Sequence, residues 1–291
     1  MPEFSPFVPS GVSDESQLNR NTVESYGGEA SFLILEAEST ETGIPVIVAG
    51  GWSEGTGSLL SVGKQITANK RRAILIDHAR SGGPSAELDI SETEHRANTI
   101  LAVLEKAGIA KADVIAHSEG ALDITLAALK CPEKFRNIVL MAPAGMIGDD
   151  SILALASRFA PKLIRGATKD MIDNPKVAIR INTDGSKYIA KNPIKAAREV
   201  SDMANIRIDS MLSGLRASGI HVGLIQAHSD PVFPDERIFD NTKVAQDGNV
   251  DAYASSVTEN AGHDDVLIHP IRAEGAIQML EHFERLEEKN R

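Results

Sequence analysis

The sequence predicts an α/β fold in which a doubly wound, mostly parallel sheet is interrupted by a helical insertion. Three observations support this class. Short, continuously apolar and β-branched runs recur along the chain, longer stretches with helical spacing separate them, and one segment of 73 residues breaks the alternation. Apolar runs of this kind are typical of strands buried on both faces, and repeated strand–helix–strand units form right-handed crossovers.

The individual elements follow from local patterns. The apolar runs that predict strands lie at residues 31–35, 45–49, 73–76, 114–116, 137–141 and 222–225, with an edge strand expected at 252–257. Between the third and fourth runs, Ser91-Glu92-Thr93-Glu94 has the capping-box pattern that begins a helix, and Gly108 ends it. Residues 270–291 carry one apolar stripe, which predicts a closing amphipathic helix.

The domain organisation follows from where the alternation stops. We expect an N-terminal leader at residues 1–22, a core formed by 23–146 and 220–291, and a helical cap at 147–219. The cap segment has 12 Lys and Arg against 8 Asp and Glu, whereas the rest of the chain has 18 against 33. A basic cap on an acidic core either attracts anionic substrates or is simply a solvated helix face.

Composition and charge exclude several classes of protein. A hydrophobic content of 42% in 291 residues is typical of an ordinary globular chain. The net charge of −11 repels phosphate backbones and anionic lipid, so we expect neither a nucleic-acid nor a membrane partner. Cys131 is the single cysteine and no signal peptide is evident, which favours the cytoplasm. We expect a monomer or a homodimer.

One short segment carries the strongest chemical signal. Residues 114–121 read VIAHSEGA, so that Ser118 lies between a buried strand and a helix-forming run, with Ala116 and Gly120 two residues to either side. This resembles the G-x-S-x-G nucleophile elbow of the α/β-hydrolase superfamily, with alanine in place of the first glycine. The alternative is a polar turn between a strand and a helix.

The resemblance implies a general base and an acid later in the chain, because a serine hydroxyl is a weak nucleophile at neutral pH. The superfamily order is nucleophile, acid, histidine. The segment 228–234, HSDPVFP, resembles the acid loop and indicates Asp230, while 260–265, NAGHDD, resembles the histidine loop and indicates His263. Asp235 is a rival acid.

Other histidines near these motifs have simpler interpretations. His117 adjoins Ser118 in sequence, so its side chain points elsewhere and we interpret it as a packing residue. His228 in the acid loop and His269 before the last helix are interpreted as structural, and Asp264 and Asp265 as a solvated turn.

The resemblance also implies two backbone donors for an oxyanion. One is the amide of Glu119, directly after the serine, and the other is that of Trp52, in the loop after the strand 45–49. Gly50 stands where the superfamily usually has histidine, and the alternative is that residues 50–57 form a mobile loop. Residues 77–85 resemble a structural Asp-Arg loop of the superfamily. No nucleotide or metal motif is recognised, so no cofactor and no metal are expected.

Together the motifs imply a serine hydrolase that cleaves a carboxylic ester or another small-molecule acyl substrate through an acyl-enzyme. Lactone, thioester and carbon–carbon bond hydrolysis use the same machinery, and superfamily resemblance does not choose among them. A ligand-binding receptor with little turnover is the alternative from a different class.

Overall fold

The computed structural model describes residues 20–25, 28–38, 43–52, 54–82, 90–165, 183, 185–228, 230–245, 263–264 and 270–289. Seven strands form one sheet: β1 (Arg20–Ser25), β2 (Gly28–Leu35), β3 (Val46–Ala49), β4 (Ala73–Gly82), β5 (Ala112–His117), β6 (Phe135–Met141) and β7 (His221–Ile225). Their order in the sheet is β1-β2-β4-β3-β5-β6-β7. The pairs β1/β2 and β2/β4 are antiparallel and the other pairs are parallel.

Helices connect the strands and also fill the insertion. They are α1 (Thr56–Ala68), α2 (Glu92–Lys106), α3 (Gly120–Lys130), α4 (Ile152–Arg165), α5 (Pro193–Asn205), α6 (Leu212–Ala217), α7 (Asp235–Ala245) and α8 (Pro270–Lys289). The predicted cap at α2 is confirmed, since the Ser91 side chain accepts a hydrogen bond from the Glu94 amide at 3.0 Å. No helix in the described ranges is long and apolar enough to cross a membrane.

The structure confirms the mostly parallel α/β sheet that the sequence predicts. Each of the six apolar runs forms a strand, from β2 to β7. Strand β1 was not predicted, and it spans the boundary expected at residue 22 between leader and core. The edge strand expected at 252–257 lies outside the described residues.

The segment 147–219, called the insertion below, is helical where the structure describes it. It contains α4, a helical stretch at 185–191, α5 and α6, and no strand occurs in its described residues 147–165, 183 and 185–219. Its bounds are those expected from the sequence, where the strand pattern of the core stops after β6 and resumes at β7.

The core has two halves, one on each face of the sheet. On one face, side chains of the central strands pack against α2, α3 and the insertion, and on the other they pack against α1 and α8. Strands β3, β5 and β6 are buried along their whole length. This double burial explains why their central residues, 46–49, 114–116 and 138–141, are continuously apolar rather than alternating.

The parallel strands determine where a site can form. Strands β3, β5, β6 and β7 run in one direction, so the loops after Ala49, His117, Met141 and Ile225 emerge at the same edge of the sheet. In open parallel sheets, ligands bind outside the carboxyl ends of the strands. Residues predicted to carry the chemistry follow three of these strands: Trp52 follows β3, Ser118 and Glu119 follow β5, and Asp230 follows β7.

Candidate active site

Ser118 lies on a sharp turn between β5 and α3. Its backbone φ is +52°, in the left-handed region that non-glycine residues rarely adopt. Such a conformation costs about 1–3 kcal/mol and persists only where the surrounding structure fixes it. Here the Ser118 amide donates to the Met141 carbonyl at 3.0 Å, and the Ser118 carbonyl accepts from Ala121 and Ala144 at 3.1 Å. The turn therefore has the strained geometry that the sequence motif predicts.

Two glycines let the backbone approach this turn closely. A Cβ at Gly120 would lie 2.5 Å from the Gly50 carbonyl oxygen, and a Cβ at Gly51 would lie 2.7 Å from the Ser118 Cβ. The second glycine of the motif is thus required because the loop after β3 passes directly beside it. Ala116, which replaces the first glycine, is fully buried in β5.

The structure brings Ser118, His263 and Asp230 into one hydrogen-bonded chain. His263 Nε2 lies 2.8 Å from Ser118 Oγ, and His263 Nδ1 lies 2.7 Å from Asp230 Oδ2. A carboxylate only accepts, so Nδ1 carries the proton that it donates to Asp230, and Nε2 is left to accept the serine hydroxyl proton. The three side chains thus have the geometry that activation of a serine by a histidine requires.

Asp230 is held in its ionised form. Burial alone would raise the pKa of its carboxyl group, but the neighbouring His263 and the amides of Val232 and Phe233 outweigh burial and lower that pKa. Asp230 Oδ1 accepts from the Val232 amide at 2.7 Å and from the Phe233 amide at 3.1 Å. The second oxygen therefore remains aimed at His263.

The rival acid, Asp235, makes different contacts. Its carboxylate bonds to Nδ1 of His228 at 2.7 Å and accepts from the Glu236 amide at 2.9 Å, at the start of α7. The His228 side chain is half exposed. Asp235 and His228 thus form a pair at a helix start, separate from the contact between Asp230 and His263.

The sequence indicated that His117 is a packing residue, but its ring also makes hydrogen bonds. Its Nε2 lies 3.0 Å from the backbone carbonyl oxygen of His263, and its Nδ1 lies 3.1 Å from a carboxylate oxygen of Glu54. The same Glu54 carboxylate accepts from the Gly51 amide. Glu54 and His117 therefore connect the loop after β3 to the histidine loop, a role that sequence reasoning missed because it needs contacts between distant segments.

The two predicted oxyanion donors belong to loops that meet at the serine. Glu119 directly precedes α3, so its amide lies at the helix N-terminus, where N–H groups and the helix dipole favour negative charge. Trp52 lies in the loop after β3, next to Gly51. That loop is held by the bond from the Glu54 amide to the Gly51 carbonyl at 3.1 Å.

Aromatic side chains cover this chain of catalytic candidates. Phe159 of α4 has its ring centroid 5.2 Å from that of Trp52 and 6.4 Å from that of His263, and Phe233 lies 5.2 Å from His263. Ser118 is only 2% exposed and His263 only 3%. The site is thus enclosed, with an apolar wall to which the insertion contributes Phe159.

Arg158, the neighbour of Phe159, attaches the insertion to the acid loop. Its Nε donates to the Val232 carbonyl at 2.8 Å, and its guanidinium also pairs with Asp150. This contact was not predictable from the sequence, because Arg158 is one of several basic residues in a helical segment.

A buried group of charged side chains lies behind Glu119. Arg96 of α2 forms ion pairs with Glu119 and with Glu199 of α5, and its Nη1 lies 3.7 Å from Asp123 of α3. Burial raises the pKa of Glu119 well above its usual range, and the nearby Glu199 and Asp123 raise it further against the opposing Arg96. Burial likewise raises the pKa of Asp123 to about 7. We call Arg96, Glu119, Asp123 and Glu199 the charge cluster.

A metal-binding interpretation of the site has one candidate group in the described residues. Ligand atoms of His117, His263 and Asp264 all lie within 4.8 Å of one another, and Asp264 is buried rather than in the solvated turn that the sequence indicated. The ring nitrogens of His263, however, already face Ser118 and Asp230. Those of His117 face Glu54 and the backbone carbonyl oxygen of His263. The donor set therefore fits a hydrogen-bonding network better than a metal site.

The other predicted loop is described only in part. Asp77 is buried and accepts from Arg20 Nη1 at 2.7 Å, which agrees with a structural role for that carboxylate. The side chains of residues 78–85 lie outside the description, as does His269.

Comparison with solved structures identifies the fold class. The chain is similar to a thermophilic esterase from Thermogutta terrifontis, with a TM-score of 0.70 and 16% identity over 91% of this chain and 99% of the other. It is similar to 2-hydroxy-6-oxo-6-phenylhexa-2,4-dienoate hydrolase from Rhodococcus sp. strain RHA1, with a TM-score of 0.68 and 16% identity over 92% and 99%. The enol-lactonase from Burkholderia xenovorans LB400 gives a TM-score of 0.67 and 14% identity over 91% and 100%.

No family model and no curated protein sequence matches this chain. The similarity to solved structures nevertheless covers nearly the whole of each chain, and the sheet has the mostly parallel order described above. The chain has the α/β-hydrolase fold, as its elbow motif predicted.

Proposed function

We propose that this chain is a serine hydrolase that cleaves a carboxylic ester or a related acyl compound. The observation that carries the proposal is the chain of two hydrogen bonds, 2.8 Å from His263 to Ser118 and 2.7 Å from His263 to Asp230. The left-handed backbone of Ser118 adds support, because strain of this kind concentrates at functional positions.

The reaction follows from the protons in this chain. Ser118 Oγ attacks the substrate carbonyl carbon while its proton passes to His263 Nε2, and the positive imidazolium is stabilised by Asp230. The bond from the carbonyl carbon to the leaving oxygen breaks, and that oxygen takes the proton from His263. Water then attacks the acyl carbon and gives a proton to His263, the bond from that carbon to Ser118 Oγ breaks, and Oγ takes the proton from His263 as the acid leaves.

The developing negative charge on the carbonyl oxygen needs donors that are already in place. We assign this role to the amides of Trp52 and Glu119, on the two loops that meet at Ser118. One such donor is worth about 10²- to 10³-fold in kcat in serine hydrolases. The aromatic wall of Trp52, Phe159 and Phe233 favours a substrate whose acyl or leaving group is apolar.

The experiment that tests this function is covalent labelling. A fluorophosphonate should label the protein at Ser118, as located by mass spectrometry, and Ser118→Ala should abolish both the label and hydrolysis of p-nitrophenyl esters. Ser218→Ala, at an exposed serine whose hydroxyl donates to the Gly214 carbonyl, is the matched control and should behave as the parent. A parent protein without labelling would refute the proposal.

The class of substrate is identified with a panel of p-nitrophenyl esters of graded length, lactones, thioesters and vinylogous ketones. The solved neighbours include proteins described as an esterase, an enol-lactonase and a dienoate hydrolase, so each of these bonds belongs in the panel. The highest kcat/KM defines the reaction class. We further propose that the chain is cytoplasmic and that it is a monomer or a homodimer. Light scattering of the purified chain tests its oligomeric state.

The enclosure of the site favours one alternative, a receptor that holds a ligand with little turnover. Ser118 and His263 are almost fully buried, as in a protein that retains its ligand. A receptor would be labelled at Ser118 yet release no more than about one product per protein across the panel, whereas repeated turnover would exclude it.

A further inference from the structure

The two loops assigned to the oxyanion are attached to the same buried carboxylate. Trp52 Nε1 donates to one oxygen of Glu199 at 2.7 Å. The other oxygen of Glu199 receives Arg96 Nη2, and Arg96 Nη1 contacts the Glu119 side chain. A continuous series of bonds therefore runs from Trp52 through Glu199 and Arg96 to Glu119, that is, from one proposed donor residue to the other.

This connection is built from buried groups. Arg96, Glu119 and Glu199 are each at most 1% exposed. Tyr188, from the helical residues 185–191, adds a hydroxyl that donates to Glu199. Buried ion pairs contribute little net stability, since the cost of removing charges from water offsets their attraction, whereas they fix relative position well. The planar guanidinium of Arg96, with its diverging donors, suits a connection between two carboxylates.

The helical insertion supplies the central member of the series. Glu199 lies on α5, whereas Arg96 lies on α2 and Glu119 directly before α3. Both oxygens of Glu199 accept hydrogen bonds, so one carboxylate serves both arms at once. The position of α5 is thereby linked to the loop after β3 and to the nucleophile elbow.

We propose that Glu199 and Arg96 are positioning residues for the oxyanion hole, which acquires its geometry only when the helical insertion is seated on the core. This rests on the proposed function. An oxyanion hole needs donors fixed to within about 0.5 Å of the productive geometry, so an anchor on each donor residue has a direct catalytic effect. Neither Arg96 nor Glu199 touches the substrate in this proposal, because both act through Trp52 and Glu119.

The connection can be observed without any substrate, because Trp52 is the single tryptophan of the chain. Its intrinsic fluorescence therefore reports only on the surroundings of this indole. Glu199→Gln keeps the side-chain size but leaves one acceptor oxygen for two sets of donors, so the emission spectrum of Trp52 should change. The matched control is Arg198→Gln, which should leave the spectrum unchanged. Arg198 lies on the same helix as Glu199, but its side chain is half exposed and its Nη1 lies 3.9 Å from Glu92 Oε1.

The catalytic consequence is tested with the ester that proves to be the best substrate. Glu199→Gln and Trp52→Phe should each lower kcat by about 10- to 100-fold, less than the loss of a whole donor, and should change KM by less than about threefold. Trp52→Phe keeps the backbone amide and an aromatic ring and removes the indole N–H together with one ring of the indole. The double variant should be no slower than the slower single variant, because both changes break the same connection.

Each other outcome has a defined meaning. If the parent hydrolyses esters but both single variants keep kcat within about twofold, or if their effects multiply in the double variant, the positioning role is overturned and the proposed function stands. A parent that neither labels nor hydrolyses overturns the function itself. If thermal unfolding shows that Glu199→Gln does not fold, the kcat of Trp52→Phe decides: a normal value overturns the inference, and a lowered one supports it.

Discussion

Asp123 offers a direct test of the electrostatics behind the nucleophile elbow. Its side chain is fully buried on α3. Burial, together with the negative charges of Glu199 and Asp202, outweighs the opposing Arg96 and raises its pKa from an ordinary 3.8 to about 7. Replacing Asp123 with Asn keeps the size of the side chain and removes its titration.

The size and the sign of the pH effect on the unfolding free energy follow from proton linkage. The folded state binds the Asp123 proton more tightly than the unfolded state, so the stability of the parent falls as pH rises from about 4 to about 7 and is level above that range. Each pH unit in this window corresponds to about 1.4 kcal/mol, which makes a full effect of roughly 4 kcal/mol. Asp123→Asn should therefore gain stability over the parent progressively between these pH values.

The assay is urea unfolding followed by far-UV circular dichroism at pH 4.5, 5.5, 6.5 and 8. The difference in unfolding free energy between Asp123→Asn and the parent should increase with pH and then become constant. Asp149→Asn, at an almost fully exposed carboxylate, is the control and should show no such increase. A difference that stays flat with pH, or that turns against the variant as pH rises, would refute the assignment.

Three further predictions address the site and its support. Asp230→Asn should lower kcat/KM for esters by about 10⁴-fold and Asp235→Asn by less than about threefold; equal losses would reverse the assignment of the acid. Gly120→Ala should destabilise the fold by about 3 kcal/mol or more in urea unfolding, because its Cβ meets the Gly50 carbonyl oxygen, whereas Gly275→Ala, in open space on α8, should stabilise it by about 0.5–1 kcal/mol. Phe159→Ala should shift the preference among p-nitrophenyl esters toward longer acyl chains, and an unchanged chain-length profile would remove Phe159 from the substrate wall.

The catalytic candidates were accessible from sequence because each has a local pattern. Ser118 lies between a buried strand and a helix start, with small residues two positions to either side. Asp230 and His263 lie in loops whose order in the chain matches the superfamily. The central strands were accessible for the same kind of reason, since burial on both faces leaves a continuous apolar run. Local patterns therefore sufficed for the sheet and for the three residues that the structure joins.

Features that depend on long-range contacts were not accessible. Arg96 is 23 residues from Glu119 and 103 from Glu199, and Trp52 is 147 residues from Glu199. In sequence Arg96 and Glu199 are ordinary charged residues of helices, and nothing local distinguishes them from solvent-exposed ones. Strand β1 was missed for a different reason: its sequence, RNTVES, contains a single apolar residue, as suits an edge strand that is largely exposed.

The left-handed backbone at Ser118 places the fold and its chemistry in competition. Glycine adopts this conformation without the steric cost that serine pays there, so Ser118→Gly should raise the unfolding free energy by about 1 kcal/mol while abolishing hydrolysis. Selection for stability alone would thus remove the proposed nucleophile. In chains selected for stability but not for hydrolysis, glycine would be favoured at this position.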